Sequence, residues 1–168
     1  MCWAALIDGR VILHWFEEGK TVNQQVYLDM LQSVLWPKVA RNCQRKQYWM
    51  QQDGARCHTT ALVLDWWFDN FGDRVISNLT DHVWPPRSPD LSPLDFWFWG
   101  ACMAMLRKNK ITTMNGVIDA VNEFAASIPP ADVRKSVRDI YARADACISH
   151  DGGAFEHSLK RHKRNLEE

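Results

Sequence analysis

The order of apolar segments predicts an α/β architecture, a mixed sheet flanked by helices, and three observations carry it. Two short apolar runs face each other across Asp8-Gly9. Strand, helix and strand patterns follow one another between Gln47 and Ser77. After a proline-rich loop at residues 84–95, the chain from Phe96 to Ala144 repeats with a helical period.

Taken in order, Trp3 to Ile7 and Val11 to Phe16 read as the two strands of a hairpin, because Asp-Gly accepts the positive φ values of a tight type I′ turn. Thr21 and Gln24 stand at capping-box spacing, and Val26, Tyr27, Met30, Leu31, Val34 and Leu35 mark one helical face that Pro37 should end. Gln47 to Gln52 reads as a short buried strand stopped by Asp53-Gly54. A helix from Thr59 or Thr60 turns Val63, Leu64, Trp67, Phe68 and Phe71 inward; Gly72 supplies its C-terminal cap, and Arg74 to Ser77 forms the next strand. Beyond the loop, Phe96, Trp99, Met103 and Leu106 form the stripe of a largely buried helix. Val117, Ile118, Val121, Phe124 and Ala125 mark a second, and Val133, Val137, Ile140, Tyr141 and Ala144 a third, separated by Pro129-Pro130.

With 168 residues and 46% apolar content, the chain is expected to form one domain burying roughly 70% of its unfolded surface. Twenty basic and twenty acidic side chains cancel, so any nucleic-acid footprint must be local. The five cysteines are scattered without a CxxC pair, which argues against a disulfide framework or a zinc site and for a reducing, intracellular location. The segment before Asp8 has no basic region, and no apolar run reaches the length of a membrane span. A soluble protein without a secretory leader is expected.

Two blocks carry chemistry. Gln51-Gln52-Asp53-Gly54-Ala55-Arg56-Cys57-His58 delivers an aspartate at a strand end, and Trp84-Pro85-Pro86-Arg87-Ser88-Pro89-Asp90-Leu91-Ser92-Pro93-Leu94-Asp95 delivers another at a helix start. The prolines fix their own φ and restrict the residues before them, so the loop aims Asp95. Each aspartate also has a plain structural reading. Asp53 suits an ordinary turn, and Asp95 follows Ser92 and Pro93 as a capping-box-like residue favoured by the helix dipole. Asp90 is best explained as a turn stabiliser. His58 either orients the loop or approaches a phosphate, or is simply a helix-start histidine. The nine tryptophans are expected in the core rather than as base-stacking platforms, Trp84 beside the loop excepted.

These blocks closely resemble the DDE/D catalytic domain of mariner-superfamily (Tc/mariner-like) transposases, whose pattern joins a QDGA..H strand end to a PP.SPDL.P.D loop. Val26 to Leu31 and the Gly152-Gly153-Ala154-Phe155-Glu156-His157 tail extend the resemblance over nearly the whole chain. It implies a ribonuclease-H-like fold with a five-stranded mixed sheet. It also implies Mg2+ (or Mn2+) as cofactor, held by carboxylates that activate a water or a DNA 3′-hydroxyl. Asp53 matches the second carboxylate and Asp95 the third, as catalytic residues and metal ligands. Two carboxylates about 4 Å apart repel by roughly 4 kcal/mol at an effective dielectric of about 20 unless cations intervene.

The spacing from Asp53 to Asp95 exceeds that of mariner elements, which suggests an insertion between Phe71 and Val83 and places the chain with variants whose last carboxylate is aspartate. The first strand and its catalytic aspartate have no counterpart here: Asp8 falls in the hairpin turn and Asp29 on a helix. The expectation is a single partial catalytic domain over 1–168, without the helix-turn-helix region that finds transposon ends, inactive by itself, weak in metal binding and marginally stable or aggregating. The implied partners are DNA and, in intact relatives, a second copy; the implied location is the nucleus. Candidate DNA contacts are His58, Arg87, Lys160, Arg161, Lys163 and Arg164, the last four forming a basic cluster that also fits a solvated tail. The alternative is a non-catalytic nucleic-acid-binding or protein-interaction module derived from a transposase.

Overall fold

The computed structural model describes residues 1–40 and 48–159. The expected strand start at Gln47 and the basic cluster at 160–164 lie outside the described residues. The chain divides into two compact units, one of Met1–Trp3 and Leu13–Arg87, the other of Ala4–Ile12 and the chain from Ser88 onward.

Strands β1 (Cys2–Ile7) and β2 (Arg10–Trp15) form the expected hairpin. Asp8 and Gly9 take φ values of 53° and 79°, the positive pair a type I′ turn requires. The turn belongs to the second unit, where a side chain on Gly9 would meet the Pro130 carbonyl at 2.8 Å.

In the first unit, helix α1 (Gln24–Met30) starts at Asn23, not at Thr21. Asn23 has the extended backbone of a cap, and its side chain accepts from the Val26 amide at 3.0 Å. The helix does not stop at Pro37. It widens into a π-helical turn (Leu31–Leu35) and continues through 36–40, because the looser turn relieves the clash a proline ring makes with the preceding carbonyls. Strand β3 (Met50–Gln51) is shorter and less buried than expected, and Trp49 is 53% exposed with its ring edge-on to His82. Helix α2 (Ala61–Phe71) runs from Thr60 to Gly72, where φ is 62°. It buries Val63, Trp67 and Phe71 but leaves Phe68 outward, because a helix covered on one side buries a single stripe. Strand β4 (Val75–Ser77) pairs in parallel with β3 on one side and with β5 (His82–Val83) on the other. The sequence pattern missed β5, since two exposed residues have no periodicity to read.

Among the described residues the strands form two sheets, of two and three strands, with β3 at an edge of the larger. The core of this unit joins α1 to α2 through fully buried Tyr27, Leu31, Val63 and Trp67. Each such side chain contributes about 1.5–3 kcal/mol of burial. Trp36, Trp66, Trp67 and Phe71 interlock edge to face at centroid distances of 4.8 to 6.2 Å. Eight of the nine tryptophans are buried or half-buried, so packing is their main use.

In the second unit a 3-10 turn (Pro89–Leu91) leads through Ser92 and Pro93 into a π-helical turn (Leu94–Trp99) that becomes α3 (Gly100–Lys108). A π turn holds more residues than an α turn, and the stripe rotates accordingly. Phe98, Ala101 and Cys102 are buried, whereas Met103, expected inward, is 48% exposed. Helix α4 (Met114–Ser127) is capped by Thr113 and buries Val121 and Ala125. Helix α5 (Pro130–Ser149) buries Val133 and Ser136, while Val137 and Tyr141 face outward, contrary to the predicted stripe. After α5, Phe155 returns the tail to the core with no exposure.

Candidate active site

Asp53 stands one residue beyond the parallel ladder, in which the Met50 amide donates to the Arg74 carbonyl and the Gln52 amide to the Ile76 carbonyl. It therefore sits at the carboxyl end of a parallel strand, where α/β folds place their chemistry. The loop that follows is closed on itself. The Gln52 side chain, 6% exposed, donates to the His58 carbonyl at 3.0 Å and accepts from the Tyr27 hydroxyl at 3.3 Å. The His58 amide reaches the Ala55 carbonyl at 2.9 Å. The His58 ring packs on the buried Tyr27 ring with centroids 4.3 Å apart.

These restraints bring His58 Nδ1 to 2.6 Å from Asp53 Oδ1, which also accepts the Ala55 amide at 3.2 Å. The His58 hydrogen bond holds the Asp53 carboxyl below the ordinary aspartate range; partial burial opposes it, and the His58 charge and the Ala55 amide support it. Burial pushes the Tyr27 phenol far above its ordinary value, so its hydroxyl remains a donor to Gln52. On the far side Gly54 lies close to Asn78, just past β4: a Cβ there would stand 3.0 Å from the Asn78 side-chain Nδ2, which would have to shift slightly. Periodicity had placed Tyr27 on a core face and had singled out neither the Gln52 side chain nor Asn78. Their roles come from contacts distant in sequence.

Asp95 occupies the first turn of the π-helical segment, with an exposed side chain. Its amide and that of Phe96 both donate to the Ser92 carbonyl at 2.9 Å, and the Ser92 amide donates to the Pro89 carbonyl at 3.1 Å. The proline loop thus presents Asp95 at a helix start, as its sequence predicted. Arg87, in the left-handed region with φ 55°, is exposed at the end of the first unit. Asp29 lies on α1 and accepts from Gln25 at 2.8 Å, and Asp8 is in the hairpin turn, the helix and turn positions their sequence predicted. Asp53 and Asp95 are hard oxygen donors of the kind Mg2+ and Mn2+ prefer. Among the described residues, no three His, Cys, Asp or Glu side chains gather into a metal-binding group. No helix among them is long and apolar enough to cross a membrane.

No protein-family profile matches the sequence. The Tc3 transposase of Caenorhabditis elegans is 29% identical over 159 residues, which cover 94% of this chain and 45% of that protein. The chain thus spans about half the length of the curated relative it matches. A crystal structure of the catalytic domain of the Mos1 mariner transposase superposes with a TM-score of 0.76 at 22% identity, covering 92% of this chain and 75% of that one. The Mos1 catalytic domain with raltegravir and Mg gives 0.77 at 22% identity, covering 92% and 76%. The Mos1 paired-end complex with Mn gives 0.76 at 22% identity, covering 92% and 44%. Sequence relationship and fold converge with the two aspartate motifs: the chain is a homologue of Tc3 transposase with the ribonuclease-H-like fold of a mariner-family transposase catalytic domain.

Proposed function

We propose that this chain derives from the DNA-processing domain of a transposase, with DNA as its partner in the nucleus and with Asp53 and Asp95 as ligands of a divalent cation. The observation that carries the reading is the Asp53 loop: a carboxylate held charged at the carboxyl end of a parallel strand, its orientation fixed by His58, Tyr27 and Gln52. The solved relatives add that Mos1 has been captured with Mg, with Mn and with a transposon end. Such a cation, when bound, would activate a water or a DNA 3′-hydroxyl and stabilise the leaving oxygen. The chain's own contribution is to keep Asp53 ionised and aimed and to present Asp95 at a rigid helix start. Arg87 and the basic cluster at 160–164 are proposed to meet phosphates, which require only local positive charge.

Two carboxylates make a weak site, so these 168 residues alone are proposed to bind Mn2+ with millimolar-range affinity and not to cut DNA. Water-proton relaxation during an Mn2+ titration tests the first part. Asp53→Asn and Asp95→Asn should each weaken binding further, and a titration indifferent to both would remove the metal reading. Incubation with Mg2+ and a DNA duplex tests the second part. Strand cleavage that Asp53→Ala abolishes would overturn the proposed inactivity.

A further inference from the structure

A single arginine outside both aspartate motifs holds the segment that carries Asp95. Arg143 lies one turn beyond Ile140 on the inward side of α5, where an apolar residue is the rule, and its side chain is only 13% exposed. Nε donates to the main-chain carbonyl of Asp90, in the 3-10 turn. Nη2 donates to the carboxylate of Glu156, in the Gly-Gly-Ala-Phe-Glu-His tail. The guanidinium lies 4.1 Å over the centre of the Phe96 ring and 5.6 Å from that of the fully buried Phe155.

One planar group therefore grips both ends of the stretch from Asp90 to Phe96. Between these ends Leu91 and Ser92 are buried, and Asp95 is the residue next to the stacked ring. With the Ser92 carbonyl already closing the turn, the backbone beneath Asp95 has little freedom left. The tail motif gains a physical role in turn, since Phe155 and Glu156 together hold the guanidinium in its plane.

We propose that Arg143 is a positioning residue for Asp95, locked by Glu156 and Phe155 and acting through the Asp90 carbonyl and the Phe96 ring. The proposal rests on the reading of Asp95 as a metal ligand. Lysine cannot replace the arginine, because an ammonium offers neither the fork that serves two acceptors nor the flat face that stacks on a ring.

The test compares Arg143→Lys, Arg143→Gln and Glu156→Gln in the full 168-residue chain by amide hydrogen exchange and by Mn2+ titration. Both Arg143 variants should raise exchange at residues 91–96 at least tenfold while leaving α3 and α4 unchanged. They should weaken Mn2+ binding about tenfold, the size expected for losing a group that orients a ligand. Glu156→Gln should move both readouts in the same direction but less. Unchanged exchange at 91–96, a rise shared equally by α3 and α4, or full rescue by lysine would each overturn the proposal. If the unmutated chain shows no Mn2+ binding that depends on Asp53 and Asp95, the metal reading fails separately. Exchange at 91–96 then decides whether Arg143 holds the segment.

Discussion

The contact between His58 and Asp53 is an unequal one: the histidine side chain is 17% exposed and the carboxylate 61%. Solvent screens a charge so exposed, so the pair contributes little to stability, under about 1 kcal/mol. Its main effect is on geometry and on protonation. Because the folded carboxyl titrates below its ordinary value, the native state takes up that proton later than the unfolded chain as pH falls. The associated stabilisation is present above the ordinary aspartate range and is lost as pH falls through the folded value. His58→Ala removes the largest cause of the shift. In a carbon-detected NMR titration, the Asp53 carboxyl should move upward toward its ordinary value, with unfolding free energy at neutral pH changed by less than about 1 kcal/mol. A titration identical to the parent's would show that the contact does not form in solution.

At the scale of the element, the segment after Pro93 separates what a pattern reveals from what it hides. Four aromatics in a row, Phe96 to Trp99, announce a buried helix, and the buried helix is there. Its face differs because the first turn is π-helical, and sequence periodicity assumes a constant advance per residue. Phe98 is consequently sealed against Phe124, at a centroid distance of 6.5 Å, while Met103 faces water. Phe98→Ala should cost about 3–5 kcal/mol in urea unfolding. Met103→Ala should cost less than about 0.5 kcal/mol, as surface changes do. Equal costs would return the helix to the constant-period register. The π turn that follows α1 is the same lesson: Pro37 reads as a stop signal, but a widened turn lets the helix pass it.

For the whole molecule, both aspartate positions were legible because turn chemistry is local. Asp-Gly ends a strand, and Ser-Pro opens a helix. The grip of Arg143 on the Asp90 carbonyl was not legible, since it links residues 53 apart in the chain. Nor was the division of the strands into two sheets, which depends on partners and not on patterns. That division has a consequence at β3. The amides of Met50 and Gln52 point toward β4, so the N–H and carbonyl of Gln51 between them point to the opposite edge, where no strand pairs among the described residues. A parallel edge without a strand partner among the described residues, beside an exposed Trp49, is a template for another chain. The 168-residue chain should therefore associate as its concentration rises in sedimentation velocity. Gln51→Pro should suppress that association, because it removes the outward donor without touching the ladder to β4. A parent chain that stays monomeric at every concentration and melts in one cooperative transition would show that this edge is already covered.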